Sequence, residues 1–325
     1  MNRRATVLAL LAFGAALPIA GAQPATKVPR IGLLSNSADA TQFPEKQTLD
    51  SLRGLGWIEG KNLVIERRFA RGDPALLAEY AAELVALKVD LILTFGAGVS
   101  IAKQATQTVP IVFGTSADPV RTAFVASLGR PGANMTGATY LTDQLSAKRL
   151  ELLKEMMPTM SRVAVLWEPS HIDNEFRGMQ AVSNGLGVRL HSTEVPRPLR
   201  SDEIERAMSA ARQGQVEALV LVPGGFTIAN RKRIIALATE HRIPVVSAWR
   251  IFADDGALMT YGPNLPEIAQ RIAGYVDRIL RGARPGDLPV EGPTRFELVL
   301  NTKSARSLGI RIPQSLLIRA DELID

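Results

Sequence analysis

The side chains best placed to do chemistry in this 325-residue chain all follow short apolar runs. Ser35-Asn36-Ser37, Thr94-Phe95-Gly96-Ala97-Gly98, Gly114-Thr115-Ser116-Ala117-Asp118-Pro119 and Tyr140 follow runs in the first half. Trp167 to Asn174, Pro223-Gly224-Gly225 and Trp249-Arg250 follow runs in the second, and Tyr261-Gly262 comes later. Hydroxyls, bare glycine backbone and aromatic rings suit non-covalent capture of a small polar molecule with an apolar part. Signals for turnover are poor. His171, His191 and His241 lack metal-ligand spacing, and there is no Gly-x-Ser-x-Gly elbow and no Walker Gly-Lys-Ser/Thr. Gly96-Ala97-Gly98 lacks the third glycine of a dinucleotide fingerprint. No catalytic residue, metal ligand or cofactor is expected.

Each candidate also has a structural reading. Gly96 and Gly98 fit a plain strand-to-helix turn as well as backbone N–H capture of an anion. Asp118-Pro119 fits an N-cap with proline in the first turn, and equally a contact to a ligand ammonium. Tyr140, Trp167, Trp249 and Tyr261 end strands instead of sitting mid-run, so they offer stacking surface with a polar edge. Arg250 either clamps a carboxylate or pairs with an acid such as Asp254.

The elements that position these loops repeat. Arg30–Ser35 is echoed by Arg162–Trp167 at an offset of 132, Asp90–Gly96 by Glu217–Gly224 at 127, and Val109–Phe113 by Ile243–Ser247 at 134. Strands alternate with helices in both halves, which predicts two α/β, Rossmann-like lobes with parallel sheets and right-handed crossovers. Ligands of such sheets bind beyond the carboxyl ends of the strands. The expected division is 23–141 for the first lobe, with 256–284 returning to it, and 142–255 for the second, with 285–325 returning to it. Strand Ala257–Tyr261 and helix Pro266–Arg281 belong to the first of those returns. A hinge crossed several times suits lobes that move as rigid bodies.

Residues 1–22 read as a cleaved signal peptide: Arg3 and Arg4, an apolar stretch from Val7 to Ala20, then Ala20-Gly21-Ala22. Arg3-Arg4 leaves both the general and the twin-arginine export routes open. The chain has no cysteine, which excludes a lipoprotein anchor and leaves stability to the core. Removing Arg3 and Arg4 lowers the formal charge from +6 to +4, scattered among acids, so no nucleic-acid partner is expected. No later run is long enough to span a membrane, and a free monomer in the periplasm is expected.

Further stretches carry a resemblance through nearly all of the mature chain. They include Leu52-Arg-Gly-Leu-Gly-Trp-Ile-Glu-Gly-Lys-Asn62, Val109-Pro-Ile-Val-Phe-Gly-Thr-Ser-Ala-Asp-Pro119, Ser127-Leu-Gly-Arg-Pro-Gly132, Met259-Thr-Tyr-Gly262 and Leu317-Ile-Arg-Ala-Asp-Glu-Leu323. In combination they resemble the ABC-transporter substrate-binding family that includes the tryptophan-binding TrpX-like proteins, with the type I periplasmic-binding fold. Pro223-Gly-Gly-Phe226 and His171-Ile-Asp173 depart from the family pattern.

The resemblance implies a soluble receptor that delivers a small molecule, amino-acid-like, to an ABC permease in the inner membrane. Ser35, Asn36, Thr94, Gly96, Gly98, Thr115, Ser116, Asp118 and Gly224 would hold polar groups. Tyr140, Trp249 and Tyr261 would stack or close, and Asn174 would lock the second lobe. The alternative is a sensory receptor of the same fold that feeds a signalling partner.

Overall fold

The computed structural model describes residues 27–40, 44–168, 175–195 and 202–325. Strands buried on both faces require apolar runs. Such runs form β1 (Arg30–Ser35), β3 (Leu91–Phe95) and β4 (Ile111–Thr115), buried almost throughout. With β2 (Val64–Phe69) and β5 (Met135–Thr139) they make a parallel sheet in the order β2-β1-β3-β4-β5. Helices α1 (Glu45–Gly54), α2 (Pro74–Ala86) and α3 (Ala97–Ala105) supply crossovers. Asp73 caps α2, its carboxylate accepting the Ala75 and Leu76 N–H groups at 2.8 and 3.3 Å, as the Asp73-Pro74 pair predicts.

The second sheet repeats the plan. Its strands β6 (Arg162–Trp167), β7 (Arg189–Glu194), β8 (Ala218–Leu221), β9 (Val245–Ser247) and β10 (Met259–Pro263) lie in the order β7-β6-β8-β9-β10. Around them are α5 (Glu175–Ser183), α6 (Glu203–Gln213), α7 (Gly225–Glu240) and α8 (Arg250–Asp254). The sheet then extends. Strand β11 (Phe296–Asn301) pairs antiparallel with β10, and β12 (Glu322–Ile324) pairs parallel with β11 after α10 (Thr302–Leu308) and α11 (Gln314–Arg319).

Two boundaries differ from the sequence expectation. The run around Ala257–Tyr261 does not return to the first lobe: β10 pairs with β9, Met259 opposite Val246 and Thr260 opposite Ser247. Residues 288–291 in turn stay with the first lobe. The Thr136 hydroxyl donates to Leu288 O at 2.7 Å, and Glu291 bridges β5 through Thr139 N–H at 3.0 Å and Gly137 O at 3.3 Å. The chain therefore crosses back between Gly292 and Phe296.

What does change lobes is a pair of helices. α4 (Thr142–Met156) leaves β5 and packs on α5 and β10, while α9 (Leu265–Leu280) leaves β10 and packs on α1 and β3–β5. In α9, Leu265, Ile268, Ala269, Ile272, Ala273, Val276 and Ile279 fall at helical spacing and are buried, so its apolar stripe fits the first sheet. Trp57 Nε1 donates to Asp277 at 2.9 Å and fixes the far end.

Among the described residues three chain segments thus join the lobes, at 139–142, 263–265 and 291–296. They are held close. Leu141 takes a left-handed conformation at φ 53°. A Cβ on Gly262 would stand 2.0 Å from Ala248 O, and one on Gly292 3.0 Å from Leu141 Cδ1.

Candidate ligand-binding site

Strand-end loops of both lobes converge on a cavity of about 320 Å³. From the first lobe it is lined by Ser35, Asn36, Ser37, Glu45, Phe95, Gly96 and Ser116, with Arg71 and Asp39 at its edge; Tyr140 comes from the first crossing segment. From the second lobe come Glu168, Pro223, Gly224, Gly225, Phe226 and Trp249.

The turn after β1 is organised around Glu45, the first residue of α1. Its side chain is buried, accepts the Ser35 hydroxyl, and lies 3.1 Å from Ser37 Oγ. Burial pushes the Glu45 carboxyl above its ordinary value, against the lowering effect of those two hydroxyls. Asn36 Oδ1 is removed from solvent and has no hydrogen-bond partner among the described residues.

After β3 the chain turns on Gly96 at φ 53° and ψ −121°, a conformation that glycine alone takes without strain. The turn leaves Phe95, Gly96 and Ala97 on the cavity and starts α3 there, so its first N–H groups lack intrahelical acceptors. Gly114 in β4 makes room for an aromatic: a Cβ there would meet the Tyr140 hydroxyl at 2.3 Å. The Tyr140 ring meets Trp249 edge-on, centroids 5.7 Å apart at 85°. Burial, then the charge of Glu45, raises the Tyr140 hydroxyl well above its ordinary pKa, so it stays protonated.

In the second lobe Glu168 follows β6 directly and is buried. It accepts the Phe226 N–H at 2.7 Å, which ties the β6 loop to the first turn of α7. Gly224 N–H donates to Thr227 Oγ1 at 2.8 Å, closing that turn.

Of the residues nominated from sequence, Ser35, Asn36, Gly96, Ser116, Tyr140, Gly224 and Trp249 line the cavity. Others are spent on structure. A Cβ on Gly98 would lie 2.2 Å from Thr94 Oγ1, so Gly98 seats α3 on a fully buried Thr94. Thr115 Oγ1 accepts Ala117 N–H at 3.1 Å and turns away. Asp118 accepts the N–H groups of Val120 and Arg121 at 2.9 and 3.1 Å, the capping role.

Tyr261 packs beside Phe296 on β11 at 6.4 Å, outside the cavity. Trp167 stacks on Phe176 at 5.2 Å. Arg250 pairs with Asp254 at 3.5 Å and forms a two-pronged pair with Glu322, which decides between its two readings. Asn174 lies outside the described residues. Sequence reasoning missed Glu45, Glu168, Arg71 and Phe226 as individual contributors. Glu168 sat inside a nominated loop, whereas Glu45, ten residues past β1, carried no such signal.

The arrangement can enclose a small molecule between aromatic walls (Phe95, Tyr140, Phe226, Trp249) and hold its polar ends by carboxylates, hydroxyls and backbone N–H groups. A family model for ABC transporter substrate binding proteins matches residues 37–324. A tyrosine-binding protein of Clostridioides difficile (strain R20291) is 25% identical over 271 residues, 82% of this chain and 76% of that protein. Among solved structures, a conserved domain protein of Vibrio cholerae O1 biovar El Tor has a TM-score of 0.80 at 27% identity, covering 91% of this chain and all of that one. An ABC domain from Streptococcus pneumoniae in complex with L-Trp has a TM-score of 0.79 at 22% identity, covering 91% and 99%.

Proposed function

The chain belongs to the ABC transporter substrate-binding protein family, with the type I periplasmic-binding fold and a binding rather than catalytic role, and from that premise we propose that it is the periplasmic receptor of an ABC importer. It acts as an exported monomer, with residues 1–22 cleaved as a signal peptide. Its lobes close on a small polar organic molecule, an amino acid or amino-acid-like compound, and the closed form engages the permease. Among the described residues no helix is long and apolar enough to cross a membrane.

The observation that carries this reading is the cavity of about 320 Å³ between the lobes, closed by Tyr140 of the first crossing segment against Trp249 of the second lobe. Such a volume is at the lower end for small-molecule sites, roughly 300–1,000 Å³. The tyrosine-binding relative and the L-Trp-bound structure support an amino-acid-like ligand. Ser35, Asn36, Gly96, Ser116 and Gly224 hold its polar groups. Binding energy that favours the closed arrangement is what shifts the lobes toward it.

A thermal-shift screen of residues 23–325, refolded to strip copurified solutes, tests the proposal. The panel holds amino acids, amines, sugars and small carboxylates. A solute at about 100 times its Kd should add about 2.7 kcal/mol, a rise of several degrees. No shift with any solute class would remove the receptor reading.

A further inference from the structure

The three segments that join the lobes are also tied to one another. Between the third and the first, Glu291 O accepts Thr139 N–H at 3.0 Å. Between the second and the third, Asn264 N–H donates to Arg295 O at 3.2 Å, Asn264 Nδ2 to Glu297 at 2.5 Å, and the Thr294 hydroxyl to Glu267 at 2.5 Å. Arg149 of α4 joins the first to the second. Its Nη2 donates to Thr142 O at 3.2 Å, where the first segment ends, and its Nε to Tyr261 O at 3.1 Å, just before the second begins. We propose that Arg149 is the positioning residue of the hinge: it completes a ring of ties that makes the three segments bend as one, so that the lobes turn about a single axis. That role deepens the receptor reading above and rests on it.

Stability alone does not call for a charge here. Arg149 and Glu175 are both fully buried, and apolar side chains of similar volume often fill such a place as stably as an ion pair does. Arginine offers what they lack, a planar fork of N–H donors in fixed directions. Nη1 meets Glu175 at the start of α5, while Nε and Nη2 go to main-chain oxygens at two separate crossings. Lysine could keep the charge pair, but its single nitrogen on a flexible stem cannot hold both carbonyls in set directions.

A segment tied to both neighbours bends only with them. With the Arg149 tie cut, the first segment twists apart from the second, and the open lobes sample more orientations. The fraction ready to close falls, and apparent affinity falls with it. Helix α4 stays seated on α5 and β10, so what is lost is alignment at the hinge and not the second lobe.

The chain has no cysteine, so cysteines introduced at Ala75 and Arg206, exposed positions on α2 and α6, carry a pair of spin labels, one per lobe. Double electron–electron resonance on residues 23–325 then reads the separation of the lobes without solute and with L-tyrosine or L-tryptophan. Arg149→Lys should broaden the distribution without solute and weaken whichever amino acid binds by about threefold or more. Met179→Ala, which opens a buried site in α5 away from the hinge, should lower the melting temperature and change neither reading. Should Arg149→Lys show no cooperative melt, the Arg149→Gln, Glu175→Gln double variant takes its place, with both charges gone and one amide where the fork was.

The assignment is overturned if the lysine variant keeps the natural width and affinity, or if Met179→Ala broadens the distribution as much. A natural protein that closes on a solute while the lysine variant closes identically keeps the receptor reading and loses the hinge role. A separation that no solute of the wider panel alters would remove both.

Discussion

Arg149 and Glu175 form a fully buried ion pair, both side chains at 0% exposure, and the perturbation to make is Arg149→Met. Arg149 Nη1 donates to the Glu175 carboxylate, Nε to Tyr261 O at 3.1 Å, and Nη2 to Thr142 O at 3.2 Å. Thr142 opens α4 just after the first crossing, and Tyr261 precedes the second, so one guanidinium ties two crossing segments to α5. Removing Arg149 takes the paired cation from a buried carboxylate, and Glu175→Gln takes the paired anion from a buried guanidinium. Each should cost about 3–5 kcal/mol.

At roughly 1.6 °C per kcal/mol for about 300 residues, Tm falls by about 5–8 °C. The double variant leaves no stranded charge. What remains is the loss of two hydrogen bonds to backbone carbonyls, about 1 kcal/mol each, so it should cost only about 2 kcal/mol. Urea unfolding of the four proteins gives the cycle directly. If the double variant costs the sum of the two singles, the pair is not coupled and the stranded-charge reasoning is wrong.

Three further outcomes follow from the geometry. Because burial raises the folded-state carboxyl of Glu45 above its ordinary 4.5, the folded protein holds that proton more tightly than the unfolded chain. Stability from this group is present at low pH and declines as pH rises from 4.5 through the raised value. The ligand-free Glu45→Gln variant should therefore gain in Tm relative to the natural protein as pH rises above 4.5, and parallel curves would contradict the assignment. Gly114→Ala places a Cβ 2.3 Å from the Tyr140 hydroxyl; it should cost about 1–3 kcal/mol and alter the cavity wall, read by melting and by ligand titration. Asp118→Ala removes a cap alone, so it should lose about 1 kcal/mol in urea unfolding while ligand affinity stays unchanged.

Much of this fold was legible because its repeat is local. The runs at Arg30 and Arg162, Asp90 and Glu217, and Val109 and Ile243 became β1 and β6, β3 and β8, β4 and β9, in matching order across the two sheets. The assignment of Ala257–Tyr261 failed because an apolar run states that it is a strand but not which edge it joins. Pairing with β9, Met259 beside Val246, keeps this run in the second sheet, and the change of lobe falls to α9, whose stripe fits the first.

Within the site, proximity to a strand end identified the right loops but not the face each side chain would take. Gly96 opens on the cavity while Gly98, two residues on, packs against Thr94; Ser116 lines it while the Thr115 hydroxyl turns back on Ala117 N–H. Glu45 was invisible for another reason. An acid at a helix start reads as a partner for the helix dipole, and only the folded loop shows Ser35 and Ser37 gathered around it.

The most direct test of the central claim, that the space between the lobes is the ligand site, is the fluorescence of Trp249. The chain has three tryptophans, and replacing Trp57 and Trp167 by phenylalanine leaves Trp249 alone on the cavity. Titrated with whichever solute raises the melting temperature, this variant should show a saturable change in emission, with the midpoint found by calorimetry on the natural protein. A solute that stabilises the protein while Trp249 emission stays constant would place the binding site elsewhere and contradict the account.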